Sequence, residues 1–184
     1  MENKSRKNIL VVSLLLCLAL FLAGCGEEKN ISENSSQSTQ NQQGQKEFIS
    51  VLQVVDGDTF SVWMNDQVEI VRVIGIDSPE TGEKYRRKEC FGRESTRKAI
   101  EILEGKKVSL EVDPTQADRD QYDRLLRHVF LENGVNYGLN MIEEGFAEEM
   151  TFEGTEYKYQ NEFMVAQEKA KQEKRGLWGV CRND

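Results

Sequence analysis

Apolar and polar residues alternate through residues 48–76, FISVLQVVDGDTFSVWMNDQVEIVRVIGI. Because successive side chains of a strand point to opposite faces, a period of two is typical of strands with one face in a core. The alternation predicts strands at 48–55, 59–64 and 68–76, and residues 65–67, Asn-Asp-Gln, have the composition of a turn. Together these segments predict an antiparallel meander.

Helical spacing replaces this alternation near Gly92. Apolar residues on one side of 94–104 predict a first helix, which Gly105 ends. Two further strands are predicted at 107–112 and 125–131, and two further helices at 137–144 and about 156–175. Strands followed by helices in these proportions predict an α+β domain built on a small curved sheet or barrel.

The composition is that of a globular protein, with 30% charged and 38% hydrophobic residues. A single histidine, His128, excludes a His-rich zinc site and argues against a histidine-based catalytic triad. The net charge is −8, and because residues 1–24 contribute +2, the rest of the chain carries −10. An acidic body argues against a non-specific DNA coat, but it allows a nucleic-acid enzyme with a local basic cleft.

The N-terminus has the layout of an export signal. Residues 8–23 are almost entirely apolar, and three basic residues precede them. A permanent transmembrane anchor is the alternative, although the run is shorter than the ~20 residues that a bilayer crossing needs. The run closes with Leu22-Ala23-Gly24-Cys25, which resembles the bacterial lipoprotein signal. The resemblance implies cleavage before Cys25, lipid attachment to its sulfur, and an extracytoplasmic protein anchored to the cell membrane, from which it could be released to the medium.

Residues 25–46 are rich in Ser, Asn and Gln and contain one large apolar residue, Ile31. Such a segment cannot bury enough surface to offset the entropy lost on ordering. We therefore expect a signal peptide at 1–24, a lipidated and flexible tether at 25–46, and one folded domain at 47–184.

Three motifs carry charged residues: VVDGDT at 54–59, RVIGIDSPET at 72–81 and DQYDR at 120–124. Taken singly, the first is an ordinary hairpin turn and the second ordinary loop chemistry. Asp58 and Asp77, however, end strands that should lie side by side. Two carboxylates in one place suit a divalent cation with oxygen ligands, calcium in particular.

A metal, two guanidinium groups and a further carboxylate can cut a phosphodiester. Arg72 and Arg124 would neutralise the charge that builds on phosphorus, and Glu80 would orient or deprotonate the attacking water. Structural alternatives stay open: Arg72 as an ion-pair partner of Asp77 or Glu80, and Arg124 as a surface arginine. The basic run at 86–88 is expected to be a solvated loop, although it could meet a nucleic-acid backbone.

In this order and spacing, the motifs resemble the staphylococcal nuclease (thermonuclease) family. The match runs from about residue 48 to Trp178 and includes Glu144-Gly145-Phe146-Ala147 and Gly176-Leu177-Trp178. The resemblance implies an OB-type five-stranded antiparallel β-barrel with three α-helices. It also implies a calcium-dependent nuclease, expected to be a monomer, that hydrolyses DNA and RNA endonucleolytically and exonucleolytically and leaves 3′-phosphates.

Site residues follow from the resemblance position by position. It implies calcium ligation by Asp58, Asp77 and the backbone carbonyl of Ser78, with Asp56 just outside; catalysis by Arg72, Glu80 and Arg124; and substrate binding by Tyr122 and Gln121. The sequence departs from the family at Asp123, where glycine is usual, and at Thr151 and Glu153, where base-stacking tyrosines are usual. An acid beside Arg124 could pair with it or repel the substrate.

Cys90 and Cys181 remain after export, and two thiols outside the cytoplasm tend to pair. Their disulfide would close a loop of about 90 residues and contribute roughly 4 kcal/mol on the chain-entropy model. Two free buried thiols are the alternative. Two other functions also stay open: a nucleic-acid-binding module that has lost catalysis, and a surface lipoprotein whose barrel is only a scaffold.

Overall fold

The computed structural model describes residues 47–82 and 88–181. The signal peptide, Cys25 and the tether predicted within residues 1–46 lie outside the described residues, as do Arg86 and Arg87 of the basic run. Within the described ranges, no helix is both long and apolar enough to cross a membrane.

Short strands and helices follow one another along the described chain. The strands are β1 (Ile49–Val54), β2 (Thr59–Met64), β3 (Gln67–Val73), β4 (Ile76–Asp77), β5 (Lys107–Glu111), β6 (Leu125–Leu131) and β7 (Glu148–Glu149). The α-helices are α1 (Gly92–Leu103), α2 (Tyr137–Glu143), α3 (Gln160–Gln172) and the short α4 (Leu177–Val180), and a 3-10 turn spans Phe152–Gly154.

The structure confirms the OB-type five-stranded barrel, which closes in the order β1-β2-β3-β6-β5. The predicted meander is present as antiparallel β1, β2 and β3. One pairing differs from the expectation: β3 and β6 run parallel, with Val71 opposite Leu125, so the barrel is mixed. The chain reaches β6 by way of α1 and β5, and a crossover of this length can return a strand in the same direction.

The third helix is shorter than the sequence predicts, beginning at Gln160 and ending at Gln172. Backbone groups just before it are used elsewhere. The Lys158 N–H donates to a carboxylate oxygen of Asp113 at 2.8 Å, and the Glu156 carbonyl accepts from the Thr115 hydroxyl at 2.8 Å. These bonds hold the segment against the end of β5, so it does not join the helix.

Apolar side chains fill the barrel and the space between it and the helices. Fully buried members are Phe60 and Val62 of β2, Val71 of β3, Val108 of β5 and Val129 of β6. From α2, Tyr137 is also fully buried, and its hydroxyl donates to the Gly57 carbonyl at 2.7 Å. This bond ties the helical layer to the β1–β2 junction, where the Asp-Gly-Asp motif lies.

The two glycine-containing motifs at 144–147 and 176–178 contact each other. The Leu177 N–H donates to the Gly145 carbonyl at 2.9 Å, and a Cβ added at Gly176 would lie 2.2 Å from that carbonyl oxygen. Nearby, Cys181 follows α4 and is joined by a disulfide to Cys90, which precedes α1.

Candidate active site

The Asp-Gly-Asp motif forms the junction between β1 and β2. The Asp58 N–H donates to the Asp56 carboxylate at 3.1 Å, which fixes the turn locally. Gly57 has no room for a side chain, because a Cβ there would lie 2.3 Å from the Ser95 Oγ and 2.6 Å from the Ser78 Cβ. The turn therefore holds Asp58 against the loop that follows β4.

Arg72 joins the two aspartates that the sequence predicts to lie together. Its Nε is 3.2 Å from the Asp58 Oδ1, and its Nη2 is 3.0 Å from the Asp77 Oδ1. The Nη1 donates to the carbonyls of Val73 and Ile76, at 2.9 and 2.6 Å. This buried guanidinium is thus fixed by four contacts, and both Asp58 and Asp77 converge on it.

The loop after Asp77 is held by backbone hydrogen bonds. The Ser78 N–H donates to the Asp58 Oδ2 at 2.8 Å. The Glu80 N–H donates to the Glu89 carboxylate, and the Glu89 N–H donates to the Glu80 carbonyl, both at 2.9 Å. These bonds position the main chain that carries the candidate base Glu80.

Arg124 reaches the same region from the loop before β6. Its Nε donates to the Asp120 Oδ2 at 2.6 Å, and its Nη1 donates to the Thr59 Oγ1 at 3.4 Å. The Thr59 hydroxyl in turn donates to the Asp58 Oδ1 at 2.8 Å. The Thr59 hydroxyl thus links Arg124 to Asp58, which also contacts Arg72.

The candidate substrate-binding residues lie on the Arg124 loop. Tyr122 is 70% exposed, with its ring centroid 5.4 Å from the Arg124 Cζ, and Gln121 is exposed beside it. Asp123 forms its ion pair with Arg119, at 3.6 Å, whereas Arg124 forms its ion pair with Asp120. The sequence left open whether Asp123 pairs with Arg124 or repels the substrate. The structure shows that it does not pair with Arg124.

Negative charge is concentrated at the β1–β2 junction. Burial, followed by the charge of Asp58 and, to a smaller extent, that of Glu80, raises the pKa of Asp56 to about 7. Glu80 is therefore close enough to act electrostatically on the Asp-Gly-Asp motif.

Comparison with known proteins decides the family. Residues 70–180 match the sequence profile described as "Staphylococcal nuclease homologue". The chain belongs to the staphylococcal nuclease family.

Named relatives of this nuclease family agree with the profile. Endonuclease YncB of Bacillus subtilis (strain 168) is 26% identical over 94% of this chain and 92% of the relative. The SPbeta prophage-derived endonuclease YokF of the same strain is 32% identical over 72% of this chain, which spans only 45% of that relative. Thermonuclease of Staphylococcus hyicus is 30% identical over 92% of this chain and 94% of the relative. Family and relatives together support a nuclease.

In this member of the staphylococcal nuclease family, the two aspartates expected to hold a metal meet at Arg72. The described part of the chain contains no group of three or more His, Cys, Asp or Glu side chains placed to hold a metal. Asp58 and Asp77 nevertheless present carboxylate oxygens from separate elements to one place, and the Asp77 side chain is 60% exposed. Calcium takes oxygen ligands in flexible geometry, including water, so two carboxylates can form part of its shell.

Sequence reasoning assigned no role to several residues that build this nuclease-family site. Asp120 orients Arg124, Thr59 links Arg124 to Asp58, and Glu89 fixes the backbone of Glu80. Asp120 could have been recognised from its opposite charge four residues before Arg124. Thr59 and Glu89 act through contacts that have no periodic signature.

Proposed function

We propose that the chain is a calcium-dependent nuclease that hydrolyses phosphodiester bonds of DNA and RNA and leaves 3′-phosphate ends. Family membership supports the nuclease activity, and the oxygen donors of Asp58 and Asp77 support calcium. The observation that carries the proposal is the convergence of both aspartates on Arg72, with Arg124 linked to the same group through Thr59.

In this proposal, Asp58, Asp77 and the Ser78 carbonyl would hold the calcium ion, with Asp56 next to them. Bound calcium would supply positive charge at the phosphate oxygens. Arg72 and Arg124 would donate hydrogen bonds to the scissile phosphate and stabilise the additional charge of the transition state. Both guanidinium groups are already oriented by carboxylates, so little reorganisation is needed during the reaction.

Glu80 would accept a proton from the attacking water or orient that water toward phosphorus. The water oxygen forms a bond to phosphorus, the bond from phosphorus to the 5′ oxygen breaks, and that oxygen takes up a proton. The phosphate remains on the 3′ side, which gives the expected product. Tyr122 and Gln121, both exposed on the loop before Arg124, would contact the phosphate end of the nucleotide.

The activity is tested by incubating end-labelled DNA and RNA with the protein in calcium and in excess chelator. We expect cleavage in calcium, loss of cleavage in chelator, and products that gain a free 3′-hydroxyl only after phosphatase treatment. Degradation that persists unchanged in chelator would contradict the role of calcium. Nucleic-acid binding without cleavage in either condition would favour a module that has lost catalysis.

The assigned roles are tested by Glu80→Gln and Arg72→Lys. Each should lower kcat about 100-fold or more, because each removes an interaction made with the reacting groups. Arg127→Lys is a matched control, since Arg127 is 8% exposed like Arg72 and also pairs with an aspartate. Near-normal kcat in Glu80→Gln and Arg72→Lys, with the same melting temperature as the wild type, would reject these roles.

We also propose that the protein is exported and anchored to the bacterial cell membrane by lipid on Cys25. The support is the basic and apolar segment that precedes Leu22-Ala23-Gly24-Cys25. Metabolic labelling with a radioactive fatty acid should mark the wild-type protein but not Cys25→Ala. Equal labelling of Cys25→Ala and wild type would contradict lipidation at this cysteine.

A further inference from the structure

A cavity of about 430 Å³ lies next to the candidate active site, between the loop after Glu80 and the first helix. Its lining among the described residues consists of Thr81, Gly82, Lys88, Arg93, Thr96, Arg97 and Ile100. The four helical members, at positions 93, 96, 97 and 100, follow the i, i+3, i+4, i+7 spacing of one face of α1. Among these described lining residues, three are cations and none is an acid.

The two arginines of this cavity differ from every other arginine in the described ranges. Those ranges contain seven arginines, and five of them form ion pairs with carboxylates: Arg72, Arg119, Arg124, Arg127 and Arg175. Arg93 and Arg97 are exposed and form no ion pair with a described residue. Glu101, one turn from Arg97, lies instead near Lys98, at 4.0 Å.

The cavity is continuous with the backbone of the candidate base. Thr81 and Gly82 follow Glu80 directly, and a Cβ added at Gly92 would lie 2.2 Å from the Glu80 carbonyl oxygen. The first turn of α1 therefore packs on Glu80, and Arg93 comes immediately after that contact. If the scissile phosphate of a nucleic-acid strand lies between Arg72 and Glu80, the neighbouring nucleotides of that strand lie close to this basic cavity.

Unpaired cations in an acidic protein indicate an anionic ligand. The chain carries a net charge of −8, whereas the described residues that line this cavity include three cations and no acid, so the potential there is locally positive. Arg93 and Arg97 are one helical turn apart, about 6 Å along the axis, which suits contact with more than one phosphate of a strand. Thr96 also lines the cavity. Its hydroxyl is buried and has no hydrogen-bond partner among the described residues.

We propose that Lys88, Arg93 and Arg97 form a binding site for backbone phosphates of the nucleic-acid substrate, beyond the phosphate that is cleaved. The inference rests on the proposed nuclease function and extends it to the substrate: the protein favours chains of several nucleotides over the shortest cleavable ones. Because phosphate contacts carry no base information, the site would act on every sequence equally.

The test is the double variant Arg93→Gln/Arg97→Gln, with Lys107→Gln/Lys169→Gln as a control that removes the same charge from exposed positions elsewhere. For a single-stranded 20-mer in calcium, we expect kcat to be unchanged and KM to rise about tenfold at low salt. The slope of log(kcat/KM) against log salt should become shallower by about 1.4, which corresponds to two phosphate contacts. A dinucleotide substrate should show no difference between variant and wild type.

A binding measurement separates this inference from the proposed function. Fluorescence anisotropy with a labelled 20-mer in chelator should give a Kd about tenfold weaker for Arg93→Gln/Arg97→Gln than for wild type and control. If the wild type binds in this way but never cleaves, the nuclease proposal fails and the phosphate site stands. An unchanged Kd, KM and salt slope would overturn the phosphate site, as would a loss of binding to anionic lipid vesicles with no effect on the 20-mer.

Discussion

Asp123 shows how one residue changes a site without altering its framework. Its backbone has φ 65°, in the left-handed region that glycine adopts without cost, and the resemblance implies glycine at this position. The carboxylate pairs with Arg119 and is 86% exposed beside Arg124. An exposed negative charge at this point opposes an approaching phosphate.

Asp123→Asn should therefore lower KM for nucleic acid while leaving kcat unchanged. Asparagine tolerates left-handed backbone, so the variant removes charge without adding strain. Asp66→Asn is the control, because Asp66 is exposed in the β2–β3 turn and has φ 60°. A KM that is the same in all three proteins, measured at low salt, would show that Asp123 does not repel the substrate.

At the scale of an element, β6 carries a buried polar pair as well as the start of the Arg124 loop. His128 is fully buried, and its Nε2 lies 2.9 Å from a carboxylate oxygen of Asp113. The Nδ1 has no hydrogen-bond partner among the described residues, so a proton there would be buried without an acceptor. Burial accordingly lowers the pKa of His128, although Asp113 and Glu111 oppose the shift in part and Lys158 adds to it.

This pair predicts a loss of stability in mild acid. The pKa of an unfolded histidine is near 6.5, and because the folded value is lower, the unfolded chain binds more protons as the pH falls below 6.5. The free energy of unfolding should decrease from pH 7.5 to 5.5 by more in the wild type than in His128→Gln. The pKa of Asp56 is raised to about 7, so protonation of Asp56 stabilises the folded state as the pH falls. This opposite effect is the same in wild type and in His128→Gln. Parallel pH profiles in urea unfolding would contradict the prediction.

The elements also show what the sequence could and could not predict. The period of two predicted β1 and β2 to within one residue at each end, but the third predicted strand, 68–76, ends at Val73, because the chain turns at Gly75, where φ is 82°. It could not predict that β3 and β6 run parallel, since side-chain alternation is the same in both directions. The pair between Arg119 and Glu69, at 2.8 Å and fifty positions apart, has no local pattern either. Motifs predicted Asp58, Asp77 and Arg72 to lie together, but the residues that orient them came only from the structure.

At the scale of the molecule, the Cys90–Cys181 disulfide links the segment before α1 to the C-terminal side of α4 across 91 positions. It also lies near the loop that carries Glu80, since Glu89 precedes Cys90 and bonds to the Glu80 backbone. The cross-link therefore restricts both the unfolded chain and one border of the site.

Removal of this cross-link should destabilise the protein substantially. Cys90→Ser/Cys181→Ser should lower the free energy of unfolding by about 4 kcal/mol on the chain-entropy model. Addition of reductant should destabilise the wild type to a similar extent and leave the double variant unchanged. Equal denaturation midpoints for wild type, reduced wild type and variant would contradict the prediction.

The most direct test of the proposed metal-dependent site is the calcium concentration that half-activates DNA cleavage in wild type and in Asp77→Asn. The matched control is Asp118→Asn, whose side chain is 65% exposed, close to the 60% of Asp77, and also pairs with an arginine. We predict saturable activation in wild type and control, and a requirement for at least about tenfold more calcium in Asp77→Asn, since one charged ligand is lost. Identical activation curves for the three proteins, or full activity without calcium, would contradict it.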